Sequence, residues 1–161
     1  AGGEVCNIRS WRRTLRHLDG DCRPLGADML YEEATIMAQS TIIELDEVEP
    51  RAGYCGAVYE LIKPHNSGAE RLSCVFVEVA PGARSRPHRH ITCEEIYFVV
   101  SGTGVVYLGS QTQAVSSGYV IHIPPGVRHM VENDSAMPLR LFVVNAPPYQ
   151  ADDVIFEEDE S

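Results

Sequence analysis

The chain is short of basic charge. Thirteen lysines and arginines face 23 aspartates and glutamates across 161 residues, a net charge of −10 with the histidines neutral. A phosphate backbone is bound by a basic surface, so a nucleic-acid partner is not expected. Long apolar runs are missing too: no stretch approaches the roughly 18 residues that a membrane span needs, which argues against a membrane partner. Residues Ala1-Gly2-Gly3-Glu4 lead into an arginine-rich segment without the apolar core of a secretion signal. The five cysteines, at 6, 22, 55, 74 and 93, are an odd number with no C-x-x-C pair. Together these absences predict free thiols in a reducing compartment, and hence a cytoplasmic location. No internal repeat is present, and the length suits one hydrophobic core rather than two.

What is present is a succession of short apolar segments. Ile8, Trp11, Leu15 and Leu18 stand at helix-like spacing, ended by Asp19-Gly20-Asp21. From about Thr35 the pattern changes to strands: 35–45, 56–62, 72–79, 95–100, 104–108, 119–123, 129–133 and 139–145. Turn residues separate them, among them Pro81-Gly82, Ser101-Gly102 and Pro124-Pro125-Gly126. Many short strands at this spacing predict an all-β sandwich or barrel. Residues 1–33 form an N-terminal arm with a short helix, 34–149 the barrel, and 150–161 an acidic tail. Asp152, Asp153, Glu157, Glu158, Asp159 and Glu160 crowd that tail, which is expected to be a solvated end.

Two compact blocks stand out from this background. The first is Gly82-x5-His88-x-His90-x4-Glu95-x6-Gly102, and the second Gly118-x5-Pro124-x-Gly126-x2-His129-x3-Asn133. Side chains two apart on a strand share a face, so His88 and His90 point the same way. Two parallel imidazoles, joined by a third and by a carboxylate, can enclose one divalent ion.

Both blocks match, without a gap, the two motifs of the cupin superfamily, which the chain therefore resembles. The resemblance implies a cupin jelly-roll β-barrel, a single metal and the ligand set His88, His90, Glu95 and His129. It also implies scaffold duties for the glycines, prolines and Asn133, the last satisfying backbone groups near a turn. Cupins of this size resemble proteins that dimerise through N-terminal strands, so a homodimer is expected, with Ala34–Leu45 as the edge.

Glu94 and Glu95 are adjacent and face opposite ways; Glu95 keeps the six-residue distance to Gly102 and is chosen as the ligand. Glu94 is expected to be solvated or paired with an arginine. Tyr97 shares the face of Glu95, and both are candidate catalytic residues, Tyr97 as a general acid or base. Arg84 and Arg86 precede His88 at two-residue steps and are candidates for holding an anionic substrate, with a solvent-facing role as the plainer reading. Cys93 is a candidate for the pocket wall or for simple packing. His122 reads as a core histidine or one that supports the ligands from behind, and Val99, Phe76, Val106, Met130 and Phe142 as pocket lining.

Three imidazoles and a carboxylate suit one divalent transition metal. Fe(II) is favoured; Mn(II), Ni(II), Co(II) and Zn(II) fit the same donors. With a small-molecule substrate that chelates through oxygen, the first reading is an iron-dependent dioxygenase. The alternatives are a non-redox isomerase, cyclase, decarboxylase or lyase, and a metal-containing binding module without turnover.

Overall fold

Residues 94–101 alternate strictly between apolar and polar environments, with Glu95, Tyr97 and Val99 buried and Glu94, Ile96, Phe98 and Val100 exposed. Such a period of two is the signature of a strand with one face on a core. A computed structural model describes residues 40–158, and it places this strand, β5 (Glu94–Ser101), inside a six-stranded antiparallel sheet. Its other members are β1 (Arg51–Gly53), β2 (Gly56–Ile62), β3 (Ser73–Val79), β8 (Val120–Ile123) and β10 (Leu139–Ala146), in the order β1-β2-β3-β10-β5-β8. The second sheet contains β4 (His88–His90), β6 (Thr103–Leu108), β7 (Gln111–Ser116), β9 (His129–Glu132) and β11 (Val154–Phe156), in the order β11-β4-β9-β6-β7.

The two sheets enclose one apolar core. Val75, Val77 and Val79 of β3, Leu139, Leu141 and Val143 of β10, Val99, and Ile121 and Ile123 of β8 supply one wall. Val106, Val115 and Val131 supply the other. Val79, Val99 and Leu139 are completely excluded from solvent, each gaining about 1.5–3 kcal/mol from transfer out of water. Asn133 carries the scaffold duty expected of it: its Nδ2 donates to Val79 O and Met137 O, and its Oδ1 accepts from Ser135 N and Oγ.

Several expectations are corrected. Residues 40–44 form no strand, and Leu45–Glu47 is a single 3-10 turn, so the described part of the anticipated edge strand is absent. The remainder of that segment, the helix at Ile8–Leu18, Cys6 and Cys22 lie outside the described residues. Polar β7 was not anticipated because its Gln-Thr-Gln start has no apolar alternation; it is held as a hairpin partner of β6. The acidic end is not a free tail. Val154–Phe156 pairs antiparallel with the histidine strand β4, and Glu157 contacts both Arg89 and Arg128 at 3.2 Å. Backbone pairing and these two arginines outweigh the solvation of its acidic side chains. No helix among the described residues is long and apolar enough to cross a membrane.

Candidate metal centre

The site lies where the two sheets face each other. β4 presents His88 and His90 inward and Arg89 outward. His88 sits directly opposite His129 in the β4–β9 register. The facing sheet contributes Glu95 from β5. All four side chains are buried, and their ligating atoms lie within 4.8 Å of one another. The Gly126 amide of the second motif donates to His90 O at 2.7 Å, tying the Pro-Pro-Gly turn to the histidine strand.

The hydrogen bonds fix which nitrogen each ring turns inward. His88 Nδ1 contacts Arg86 O at 2.8 Å and His129 Nδ1 contacts Val127 O at 3.0 Å. A carbonyl only accepts, so each Nδ1 carries the proton and each Nε2 keeps its lone pair. These Nε2 atoms, and that of His90, are buried without a hydrogen-bond partner. His129 Nε2 nevertheless lies 2.9 Å from Glu95 Oε2, and His90 Nε2 3.4 Å from the same oxygen. Lone pairs converging on a carboxylate in a buried space repel unless positive charge lies between them. The donor set, two-sheet support and orphaned nitrogens fit a divalent transition ion held by His88, His90, His129 and Glu95.

Without an ion, what relieves this repulsion is a proton on the nitrogens facing Glu95, and the pKa shifts have that direction. Burial works against ionisation of Glu95, but the His129 and His90 imidazoles outweigh it and hold the carboxyl well below the usual range. Burial, reinforced by neighbouring His129, lowers His88 to about 4, keeping it neutral. For His90 burial also opposes protonation, yet Glu95 and then Asp153 raise its pKa. Burial keeps Tyr97 a neutral phenol, with its pKa well above the usual range. Its hydroxyl donates to Glu95 Oε2 at 3.3 Å.

Beside the cluster is a narrow interior cavity that opens to solvent. Valines 58, 75, 77, 79, 131 and 143, with Leu141 and Tyr97, form its apolar wall, and Glu95 and Asn145 are among its polar lining. Of the anticipated lining, Phe76 and Phe142 are paired with each other in the register and belong to the opposite face of their strands. Val99, Val106 and Met130 are buried in the core without lining the cavity.

The remaining candidates separate. Glu94 is exposed and its Oε2 lies 3.0 Å from His122 Nε2, so its partner is a histidine rather than an arginine. His122 is itself exposed, because Ile121 and Ile123 occupy the inward positions of β8. Cys93 is buried, its thiol directed at Glu94 O and Pro147 O and its pKa raised by burial to about 11. It packs beside the centre and not on the cavity wall. Arg84 and Arg86 are exposed, and neither lines the cavity. Ser85, Pro87 and His88 are all buried, so the two-residue phase breaks at Pro87–His88 and cannot be carried back from His88. Arg86 instead lies over the Phe156 ring, 4.3 Å from its centroid.

The cations that do line the cavity are Arg51 and Lys63, both bound to Glu60 Oε1, with Tyr54 and Tyr149 nearby in the wall. No local motif marks them. Asn145 had a readable signal: it ends the inward series Leu139, Leu141, Val143 with a polar side chain.

Comparison with known proteins agrees with the fold. The cupin-domain family model matches residues 75–145. An uncharacterized protein of Methanocaldococcus jannaschii is 32% identical over 111 residues, covering 68% of this chain and 89% of that protein. Among solved structures, a Thermus thermophilus protein, TT1209, superposes with a TM-score of 0.56 at 27% identity, covering 67% of this chain and 98% of that one. The polyketide cyclase RemF of Streptomyces resistomycificus gives a TM-score of 0.61 at 23% identity, over 71% and 89% of the respective chains. The chain belongs to the cupin family.

Proposed function

We propose that this cupin is a metal-dependent enzyme that moves protons, without net redox change, on a small oxygen-chelating substrate of largely apolar body. The observation that carries the metal is the cluster of three unpartnered imidazole nitrogens with Glu95, their ligating atoms within 4.8 Å of one another. When bound, the divalent ion supplies Lewis acidity to a carbonyl or enolate oxygen.

The chain's own groups supply the rest. Valine and leucine walls offer a polyhydroxylated substrate few partners, and each hydrogen bond left unmet costs about 1–3 kcal/mol. Asn145 Nδ2 holds Glu95 Oε1 at 2.6 Å, so the carboxylate cannot rotate freely. Tyr97 lines the cavity with its hydroxyl donated to Glu95 Oε2, and in this reading it is the group that delivers a proton to the substrate. Of the two enzyme classes expected from the sequence, the fold shared with a polyketide cyclase supports the non-redox one. That class includes cyclases, isomerases, decarboxylases and lyases.

The test uses metal-loaded protein and a panel of aryl 1,3-diketones in deuterated buffer. Under anaerobic conditions, proton NMR should show metal-dependent deuterium exchange at the carbon between the carbonyls, slowed in Tyr97→Phe. Substrate loss that needs oxygen, with stoichiometric oxygen uptake, would overturn the reading in favour of the dioxygenase.

A further inference from the structure

Each inward-facing imidazole of the centre needs its other nitrogen held, and the three are held differently. For His88 and His129 the holder is a backbone carbonyl two residues earlier in the chain. His90 has no such carbonyl. What faces its Nδ1 is Asp153 Oδ2, at 3.5 Å, a charge contact at the outer limit of a hydrogen bond. Asp153 lies more than 60 residues further along, in the segment that reads from sequence as a solvated tail.

That aspartate is firmly located. Its Oδ1 accepts from Thr92 N at 2.8 Å and from Thr92 Oγ1 at 2.7 Å, and its Oδ2 accepts from Cys93 N at 3.1 Å. Its own carbonyl accepts from Ile91 N at 2.9 Å. The loop between His90 and Glu95, which separates two ligands, is thus tied at three successive amides to one residue. Immediately afterwards β11 pairs with β4 in register, Val154 opposite His90 and Phe156 opposite His88.

We infer that Asp153 is a positioning residue of the metal centre: its carboxylate orients the His90 ring with Nδ1 protonated and Nε2 turned toward the ion. The C-terminal segment thereby becomes part of the site. A carboxylate behind a ligating imidazole fixes the tautomer and raises the basicity of the ligating nitrogen, and its loss costs about 10–100-fold in metal affinity. The inference rests on the metal-centre reading above, and the test separates the two.

Zinc, which is diamagnetic, is the probe. Competition with a chromophoric chelator gives its affinity in wild type, Asp153→Asn and Glu157→Gln. The first variant is isosteric and removes the charge behind His90. The second loosens the same segment at Arg89 and Arg128 without touching the ring. Asp153→Asn should weaken zinc binding about 10–100-fold, with Glu157→Gln close to wild type. Long-range proton–nitrogen spectra of the zinc-loaded protein should show His90 protonated at Nδ1 in wild type and a displaced Nδ1 resonance in Asp153→Asn alone. Wild-type zinc affinity in Asp153→Asn overturns the role of Asp153 while leaving the centre intact. Equal losses in both variants overturn it as well, by tracing the effect to anchoring of the segment. A wild-type protein that binds no zinc overturns the centre itself.

Discussion

Asn145 and Glu95 face each other across the β10–β5 pair, and Asn145 Nδ2 donates to Glu95 Oε1 at 2.6 Å. This bond divides the carboxylate: one oxygen belongs to the scaffold, and the other faces His129, His90 and Tyr97. Replacing Asn145 by Ala leaves a buried charged oxygen without its donor. The expected loss is about 1–3 kcal/mol of stability, read by urea denaturation of the metal-free protein. Metal retention should fall as well, since Glu95 is then free to turn. A variant with unchanged midpoint and full metal content would show that the bond is incidental.

The adjacent carboxylates give a sharper contrast. Glu95 is buried against the imidazoles, whereas Glu94 is exposed beside His122. Glu95→Gln should lose most of its bound metal on gel filtration, with Glu94→Gln retaining a wild-type amount. Mass spectrometric metal analysis per chain decides between them, and the reverse ranking would dismantle the site as described.

The cluster of three histidines and Glu95 was readable because strand period and motif spacing both act locally. His88-x-His90 and Glu95-x6-Gly102 each lie within one turn-to-turn unit, and nothing tertiary is needed to place them. Arg84 and Arg86 take the solvent-facing position of the plainer reading, for the complementary reason. Their inward orientation assumed one continuous strand through Pro87, but Pro87 and His88 are buried in succession and reverse the phase. Arg51 and Lys63 flank the β1–β2 hairpin, which carries no motif, and Asp153 reaches the site region through the long-range pairing of β11 with β4, which no local pattern announces. Acidic composition pointed the C-terminal residues to solvent, whereas backbone pairing with β4 keeps them on the barrel.

Two motif glycines should differ when changed to Ala. Gly102 and Gly118 both have positive φ, +86° and +93°, so each substitution carries backbone strain. At Gly102 the new Cβ would also collide with Pro138 O, and its approach to Leu139 Cα would be 2.9 Å. At Gly118 it would meet nothing within 4 Å. Gly102→Ala should therefore cost more than Gly118→Ala by about 1–3 kcal/mol, the usual penalty of overpacking. Paired denaturation curves measure the difference, and equal costs would mean that the β10 approach yields easily.

Metal should stabilise the native chain because only the folded barrel brings its four ligands together. The unfolded chain has His88, His90, Glu95 and His129 on two separated stretches, so binding energy is recovered on folding. At free metal one hundred times the dissociation constant, the linkage is about 2.7 kcal/mol. For a domain of this size that corresponds to roughly 5–10 °C in Tm. His129→Ala removes one of the orphaned nitrogens from the centre, opposite His88 in the register, and should abolish the shift while the barrel still unfolds cooperatively. Scanning calorimetry of both proteins, with and without zinc, tests this directly. An equal shift in the variant would place the stabilising ion somewhere other than between the two sheets.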